Sequence, residues 1–166
     1  MRLRFMLTWG LAVLLLLGGT SARAQREKLP PDDYDLVYKT WPNIKKTNGG
    51  IRYIVLKPGD GPMPKPGEMA SVLYKGTLLQ GGKQFDAAQD PKKPFTFRVD
   101  RGMVIKGWDE IIQMMALGAK WMVVIPPELA YGSRGQPPSI PRDATLVFEV
   151  ELLKIGPEDV KIVPER

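Results

Sequence analysis

Residues 104–117 read VIKGWDEIIQMMAL and are the one stretch of the chain with a clear helical pattern. Their apolar residues recur at spacings of three and four and form a single stripe of Trp108, Ile111, Ile112 and Met115. Asp109 and Glu110 follow at the start, where the helix dipole favours negative charge. The pattern predicts one short helix over residues 108–117, with Gly118 placed to cap its C-terminus.

Strand patterns lie on both sides of this helix. Residues 95–99, FTFRV, alternate between apolar and polar side chains, as a half-buried strand does. Runs of β-forming residues bounded by Gly and Pro predict the other strands at residues 51–56, 69–79, 83–86, 119–125 and 145–155. Six strands and one helix indicate an α+β domain in which an antiparallel sheet wraps around the helix.

The first 24 residues have the three parts of a secretory signal peptide. Two arginines precede an apolar run over residues 5–17, and residues 22–24, ARA, match the small-residue cleavage pattern. The run is shorter than the roughly 20 residues that span a bilayer. We therefore expect cleavage after Ala24, export, and no membrane attachment of the mature chain; a retained N-terminal anchor is the alternative.

The 166 residues include no cysteine and no histidine. This composition excludes disulfides, thiolate or imidazole nucleophiles and ordinary zinc sites, and it predicts no metal and no cofactor. The formal charge of +6 becomes +3 when Arg2, Arg4 and Arg23 leave with the signal peptide, and the lysines are scattered, which argues against nucleic-acid binding. The chemistry of such a chain needs little acid–base catalysis.

Residues 25–50 are polar and proline-containing, which predicts an N-terminal extension without a core of its own. The extension nevertheless carries apolar and aromatic residues, namely Tyr34, Leu36, Val37, Tyr38 and Trp41. These side chains either pack on the flank of the main domain or contact a partner or a second copy. Residues 51–155 form the main domain, and residues 156–166 are expected to be a frayed tail.

Seven segments resemble the FKBP family of peptidyl-prolyl cis/trans isomerases and occur in the family's order. They are residues 72–76 (VLYKG), 82–86 (GKQFD), 94–97 (PFTF), 104–110 (VIKGWDE), 130–132 (AYG), 140–141 (IP) and 144–152 (ATLVFEVEL). The resemblance implies a twisted antiparallel sheet of five to six strands around one short helix, with an apolar aromatic pocket between them. It also implies isomerisation of X-Pro bonds by non-covalent catalysis. With the signal peptide, this predicts a foldase of exported proteins in the periplasm, or alternatively a secreted protein.

The resemblance also implies which residues form the site. The catalytic residues carried over are Tyr74, Phe85, Asp86, Ile105, Trp108 and Tyr131, and the substrate-binding residues are Phe95, Val104, Ile140 and Phe148. Trp108 would lie beneath a prolyl ring, while the Ile105 N–H and the Tyr131 hydroxyl would donate to peptide carbonyls. The partners would be proline-containing unfolded or exported polypeptides, and macrolides are possible ligands.

Some positions depart from the family pattern. Pro91 stands where relatives often carry an Arg that braces the site aspartate, so Lys92 or Lys93 would have to replace it. Gln136 and Ser139 stand where His and an apolar residue are common, which affects substrate preference and macrolide affinity. The competing interpretation is a non-catalytic binding module or holdase that uses the same pocket and the apolar residues of the extension.

Overall fold

The predicted strand segments assemble into one antiparallel sheet. The computed structural model describes residues 27–156; residues 1–26, with the predicted signal peptide, and residues 157–166 of the predicted tail lie outside them. The strands are β1 (Lys45–Lys46), β2 (Arg52–Lys57), β3 (Met69–Leu78), β4 (Gln84–Ala88), β5 (Phe95–Arg98), β6 (Lys120–Ile125) and β7 (Leu146–Gly156). The helices are α1 (Pro31–Thr40) and α2 (Lys106–Ile112), with 3₁₀ turns at Pro127–Leu129 and Gly132–Arg134.

The α+β architecture agrees with the prediction, and the six predicted strands are present with ends shifted by at most two residues. The seventh strand, β1, has only two residues and no pattern of its own in the sequence. The strand order is β1-β2-β6-β7-β3-β4, and β5 pairs with β3. One end of β3 therefore carries β5 and the other end carries β4, which brings both strands beside the same central strand.

The main core lies between α2 and one face of the sheet. Alternate residues of β7 are buried on this face, as the pattern predicts: Leu146, Phe148, Val150 and Leu152. From β6 the same core receives Trp121, Val123 and Ile125, and from the α2 region the whole predicted stripe of Trp108, Ile111, Ile112 and Met115. This packing fixes α2 across the sheet.

The helix prediction was right in its apolar face and wrong in its limits. α2 covers Lys106–Ile112 rather than residues 108–117. Beyond Ile112 the chain winds more tightly, because the amides of Met114 and Met115 bond to carbonyls three residues back, at 3.0 and 3.1 Å. Gly118 does not cap α2: it has a φ of +83°, and its N–H donates to the Leu152 carbonyl at 2.8 Å in the turn into β6.

The N-terminal extension contains a helix that the sequence analysis did not predict. Its prolines were interpreted as breakers, but Pro30 is the N-cap of α1 and Pro31 its first residue, where the missing N–H and fixed φ are compatible with a helix. Val37 is fully buried in a second cluster with Leu29, Ile44, Leu79, Met122 and Val124. Within residues 27–156, neither helix is long and apolar enough to cross a membrane.

This second cluster lies on the opposite face of the sheet from α2. Met122 and Val124 alternate along β6 with the residues of the main core, so they point the other way. Of the two interpretations of the extension's apolar residues, packing on the domain's own flank accounts for Leu36, Val37, Tyr38 and Trp41. Tyr34 stays 40% exposed.

Two buried polar contacts fasten the extension to the domain. The first is the carboxylate of Asp33 on α1, which accepts hydrogen bonds from Gln80 Nε2 at 2.6 Å and from Thr145 Oγ1 at 2.5 Å. The second is the fully buried guanidinium of Arg52, which donates to the Gly50 carbonyl at 2.5 Å and to the carboxylate of Glu27. A buried cation needs such a partner because isolated charge is strongly disfavoured away from water.

The Glu27 carboxylate is stabilised in its charged form. Partial burial acts to raise its pKa, but hydrogen bonds from the Leu29 amide and from Arg52, together with the Arg52 charge and a bond from Lys46, outweigh that effect. They lower the pKa of Glu27 from 4.5 to about 2. A group whose pKa is lower in the folded than in the unfolded chain contributes stability above the unfolded value, and this contribution disappears as pH falls through the folded value.

Glu27→Gln is therefore expected to destabilise the protein at neutral pH, and the difference from the parent chain should shrink as pH falls from about 4.5 to about 2. Urea unfolding of the Gln25–Arg166 chain at a series of pH values measures this difference. Glu128→Gln is the matched control, because Glu128 is exposed and its substitution removes one carboxylate without removing a described hydrogen bond. A difference between Glu27→Gln and the parent that does not change with pH would contradict the assignment.

Candidate active site

A cluster of aromatic rings is built around Trp108, which projects from α2 towards the sheet and is 4% exposed. Four rings surround it, with centroid distances of 5.0 Å to Tyr74, 5.3 Å to Phe148, 5.7 Å to Phe97 and 6.0 Å to Phe95. Three of the four meet it edge to face, a geometry that the ring quadrupole favours. Trp108 is thereby held rigidly at the base of a cavity.

The cavity above Trp108 has a volume of about 170 Å³. It is lined by Tyr74, Phe85, Asp86, Phe95, Met103, Val104, Ile105, Trp108, Tyr131 and Phe148. Nine of these are residues that the sequence resemblance implied. The lining is mainly aromatic and aliphatic, with its oxygen atoms on the Tyr74, Asp86 and Tyr131 side chains, which is typical of a small-ligand site.

Phe85 and Phe148 meet over β3 because residue 76 is glycine. Gly76 pairs with Phe148 on β7 and with Asp86 on β4. A Cβ atom on Gly76 would lie 2.7 Å from Phe85 Cζ and 2.8 Å from Phe148 Cε1, closer than real contacts allow. The glycine lets the two rings approach edge to face with their centroids 5.6 Å apart, which closes one wall of the cavity.

The polar side of the cavity is organised by Asp86. Its carboxylate accepts hydrogen bonds from the Tyr74 hydroxyl at 2.6 Å and from the Ala87 amide at 2.8 Å. The expectation that Lys92 or Lys93 would brace Asp86 is wrong: neither lysine forms an ion pair with it in the part of the chain that the structure describes. A neutral donor on the neighbouring strand orients the carboxylate instead.

Both tyrosines of the cavity remain protonated well into the alkaline range. Burial, and then the hydrogen bond to Asp86 and its charge, raise the pKa of Tyr74 far above its ordinary value. Burial, and then the Asp86 charge, raise the pKa of Tyr131 as well. Each hydroxyl is therefore a hydrogen-bond donor at physiological pH. The Tyr74 hydroxyl donates to Asp86, whereas the Tyr131 hydroxyl donates no hydrogen bond to any residue within 27–156.

The backbone N–H of Ile105 is a second free donor at the cavity. Ile105 is the N-cap of α2 with extended backbone angles, and its carbonyl accepts the amides of Trp108 and Asp109 at 2.9 and 3.3 Å. Its own N–H forms no hydrogen bond with any described residue. Because the first amides of a helix have no partner inside the helix, such a group is available to a ligand.

Met103 lines the cavity although the sequence analysis did not single it out. It follows a loop that Asp109 ties to α2, since the Asp109 carboxylate accepts the amides of Asp100 at 2.9 Å and Gly102 at 3.0 Å. Met103 is 53% exposed beside Val104. Its residue type carries no signal for this place; its position just before the 104–110 segment is the feature that could have indicated it.

Ile140 is the one predicted site residue outside this cavity. Its side chain is 1% exposed, and its backbone pairs with Gln136 through hydrogen bonds of 2.8 and 2.9 Å. It borders a neighbouring cavity of about 240 Å³, together with Phe85, Asp86, Tyr131, Gln136, Pro137 and Ser139. The turn at residues 136–140 directs Ile140 inward, so it supports the wall that the two cavities share.

Comparison with known proteins agrees with this geometry. Residues 61–153 match the model of the FKBP-type peptidyl-prolyl cis-trans isomerase family. The chain is 48% identical over 108 residues to FK506-binding protein 1A of Emericella nidulans, covering 64% of this chain and 99% of that protein. It is 45% identical over 107 residues to the peptidyl-prolyl cis-trans isomerase Fkbp12 of Drosophila melanogaster, covering 64% of this chain and 98% of that protein.

Two bacterial structures share the fold. The crystal structure of a peptidyl-prolyl cis-trans isomerase from Pseudomonas syringae pv. tomato has a TM-score of 0.67 at 37% identity, covering 76% of this chain and 92% of that one. The crystal structure of FkpA from Escherichia coli also has a TM-score of 0.67, at 41% identity, and covers 76% of this chain but 58% of that longer one. The aromatic cavity, the sheet around α2 and these matches lead to one conclusion: the chain belongs to the FKBP family and is an FKBP-type peptidyl-prolyl cis-trans isomerase.

Proposed function

We propose that this isomerase assists the folding of exported proteins in the periplasm, by rotating X-Pro bonds in the aromatic cavity above Trp108; secretion from the cell is the alternative location. The observation that carries the proposed site is the combination of an apolar base with two unused donors at its rim. Trp108 closes the cavity below, and the Ile105 N–H and the Tyr131 hydroxyl stand at its edge. A prolyl ring fits the apolar part, and its flanking carbonyls fit the donors.

The reaction needs no acid, base, nucleophile or metal. Rotation about an amide bond has a barrier of ~18–20 kcal/mol, and X-Pro bonds take tens to hundreds of seconds. The planar amide is the more dipolar state and water stabilises it, so an apolar site favours the twisted state relative to the planar one. An acceleration of about 10⁵-fold corresponds to roughly 7 kcal/mol of such differential stabilisation.

The donors at the rim hold the peptide while the bond rotates. The Ile105 N–H and the Tyr131 hydroxyl each bind one carbonyl, which fixes the chain on either side of the prolyl ring. The Asp86 carboxylate does not transfer a proton; it accepts the Tyr74 hydroxyl at 2.6 Å and so orients the ring that forms part of the wall. Preorganised contacts of this kind lower the entropic cost of reaching the transition state.

The same cavity is proposed to accept macrolides. Relatives that match this chain over almost their whole length are named as FK506-binding proteins. Here the neighbouring cavity carries Gln136 and Ser139, which present polar groups beside Asp86 and Tyr131. A ligand that extends over this cavity meets a polar surface, so we expect its affinity to differ from that of a relative with apolar groups there.

Tyr131→Phe removes one hydroxyl and no ring, and we expect kcat/KM for a short Xaa-Pro peptide to fall about three- to tenfold, as the loss of one hydrogen bond to the transition state predicts. Phe85→Ala should reduce it further by opening the wall of the cavity. Tyr34→Phe is the matched control, because Tyr34 lies on α1 away from the cavity and is 40% exposed. Unchanged kcat/KM in folded Tyr131→Phe would remove Tyr131 from the mechanism.

The raised pKa values of Tyr74 and Tyr131 predict a flat pH profile. Both pKa values lie above 10, the ordinary value for tyrosine, so kcat/KM for an uncharged peptide should not pass through a midpoint between about pH 6 and pH 10. Circular dichroism at each pH checks that the protein remains folded. A decrease in kcat/KM with a midpoint at or below pH 10 in folded protein would show that one of the two pKa directions is wrong.

Export rests on the signal pattern of residues 1–24. When the full chain is expressed in a Gram-negative bacterium, we expect it in the periplasmic fraction, with an N-terminus at Gln25. Leu15→Arg with Leu16→Arg interrupts the apolar run and should keep the protein in the cytoplasm. Parent protein that starts at Met1 and sediments with the membrane would favour the retained anchor instead.

A further inference from the structure

A buried threonine links the N-terminal extension to the helix that carries Trp108. Thr47 is 7% exposed, and its hydroxyl donates to Glu110 Oε1 on α2 at 2.6 Å. The Thr47 hydroxyl oxygen also accepts a hydrogen bond from the Ile51 amide at 3.2 Å. The Thr47 hydroxyl therefore uses its donor on α2 and an acceptor position on the start of the sheet. The two residues are 63 positions apart in the chain, so no local pattern requires this contact.

The turn after Thr47 is shaped to receive the Glu110 carboxylate. Its backbone is closed by hydrogen bonds from the Thr47 amide to the Ile51 carbonyl at 2.8 Å and from the Gly50 amide to the Thr47 carbonyl at 3.1 Å. A Cβ atom on Gly49 would lie 1.9 Å from Glu110 Oε2 and 2.2 Å from Oε1. The carboxylate thus rests directly on the Gly49 backbone, and any side chain there would displace it.

The turn is itself held from the other side. The buried Arg52 guanidinium donates to the Gly50 carbonyl at 2.5 Å and to the Glu27 carboxylate. A continuous series of contacts therefore runs from Glu27 through Arg52 and the turn to Glu110. Residues 47–50 lie outside the 61–153 segment that matches the family model. The series joins the extension to the helix that carries Trp108.

α2 is short enough for such a contact to matter. It has seven residues, and a helix of that length is not stable by itself, so its position depends on tertiary contacts. The Asp109 carboxylate ties it to the loop at Asp100 and Gly102, and Glu110 ties it to Thr47. Trp108 and the Ile105 amide, which form the base and one donor of the cavity, move with this helix.

We propose that Thr47 and Glu110 are positioning residues for isomerisation: the turn at residues 47–50 holds α2 in the register that places Trp108 and the Ile105 amide. The extension is then part of the frame of the active site, acting through α2 without touching substrate. Small displacements of catalytic groups reduce rates strongly, and a shift of 1 Å can cost on the order of 100-fold.

The test compares variants that break the contact with one that keeps it. Thr47→Val and Glu110→Ala each remove the hydrogen bond, and we expect kcat/KM for an Xaa-Pro peptide to fall about tenfold in both, in line with a displacement below 1 Å. Thr47→Ser retains a hydroxyl and should restore most of the activity. In ¹H–¹⁵N spectra, the Ile105 amide and the Trp108 indole N–H should shift in the first two variants and not in Thr47→Ser.

Asp33→Asn is the matched control for stability. It weakens the other attachment of the extension, at Gln80 and Thr145, without touching α2. We expect it to lower Tm while kcat/KM and the two N–H signals stay as in the parent. Glu110→Ala keeps the hydrogen bond between Thr47 and Ile51 and places a good helix former on α2, so we expect it to fold. Its kcat/KM and N–H signals therefore test the proposal even if Thr47→Val does not fold.

Three results would overturn the proposal. The first is folded Glu110→Ala with the kcat/KM of the parent. The second is a loss of kcat/KM in Glu110→Ala without a shift of the Ile105 and Trp108 signals. The third is an equal loss of kcat/KM in Asp33→Asn, which would mean that activity follows global stability and not the position of α2.

Discussion

The packing of Trp108 against the sheet is the contact around which this domain is organised. The indole joins α2 to β3, β5 and β7, because Tyr74, Phe95, Phe97 and Phe148 on those strands all meet it. Aromatic pairs in such geometry contribute about 0.5–1.5 kcal/mol each beyond the area they bury. The same rings that stabilise the core form the base and walls of the cavity. In the proposed mechanism, stability and activity therefore depend on one set of contacts.

A sheet with one helix on one face would leave its other face open to water. In this chain α1 and the segment around it cover much of that face, with Val37 buried against Met122 and Val124. The cover is fastened at two places by polar groups: Asp33 bonds to Gln80 and Thr145, and Glu27 bonds to Arg52. Because these groups are charged or hydrogen-bonded in pairs, the extension has one defined position and can act on α2 through Thr47.

The chemistry of the site follows from what the chain lacks as much as from what it contains. With no histidine and no cysteine, it has neither of the usual side chains for proton transfer or covalent catalysis at neutral pH. Amide rotation is one of few reactions that need only an apolar surface and fixed donors. The ordinary pKa of tyrosine already lies near 10 and burial raises the pKa of Tyr131 further, so the donors do not change over the physiological range of pH.

Period-two and period-3.6 patterns predicted the strands and the apolar face of α2, because burial on one face imposes these spacings locally. Nine of the ten cavity residues were implied instead by the resemblance of short motifs, such as residues 104–110, to the FKBP family. Sequence patterns did not place α1, the early end of α2, Met103, the inward turn of Ile140 or the partner of Asp86. Three of these depend on groups far apart in the chain: the Leu152 carbonyl that receives Gly118, the outer face that buries Val37, and the Tyr74 hydroxyl that meets Asp86. Contacts between distant segments leave no periodic trace in either segment, so only the folded arrangement reveals them.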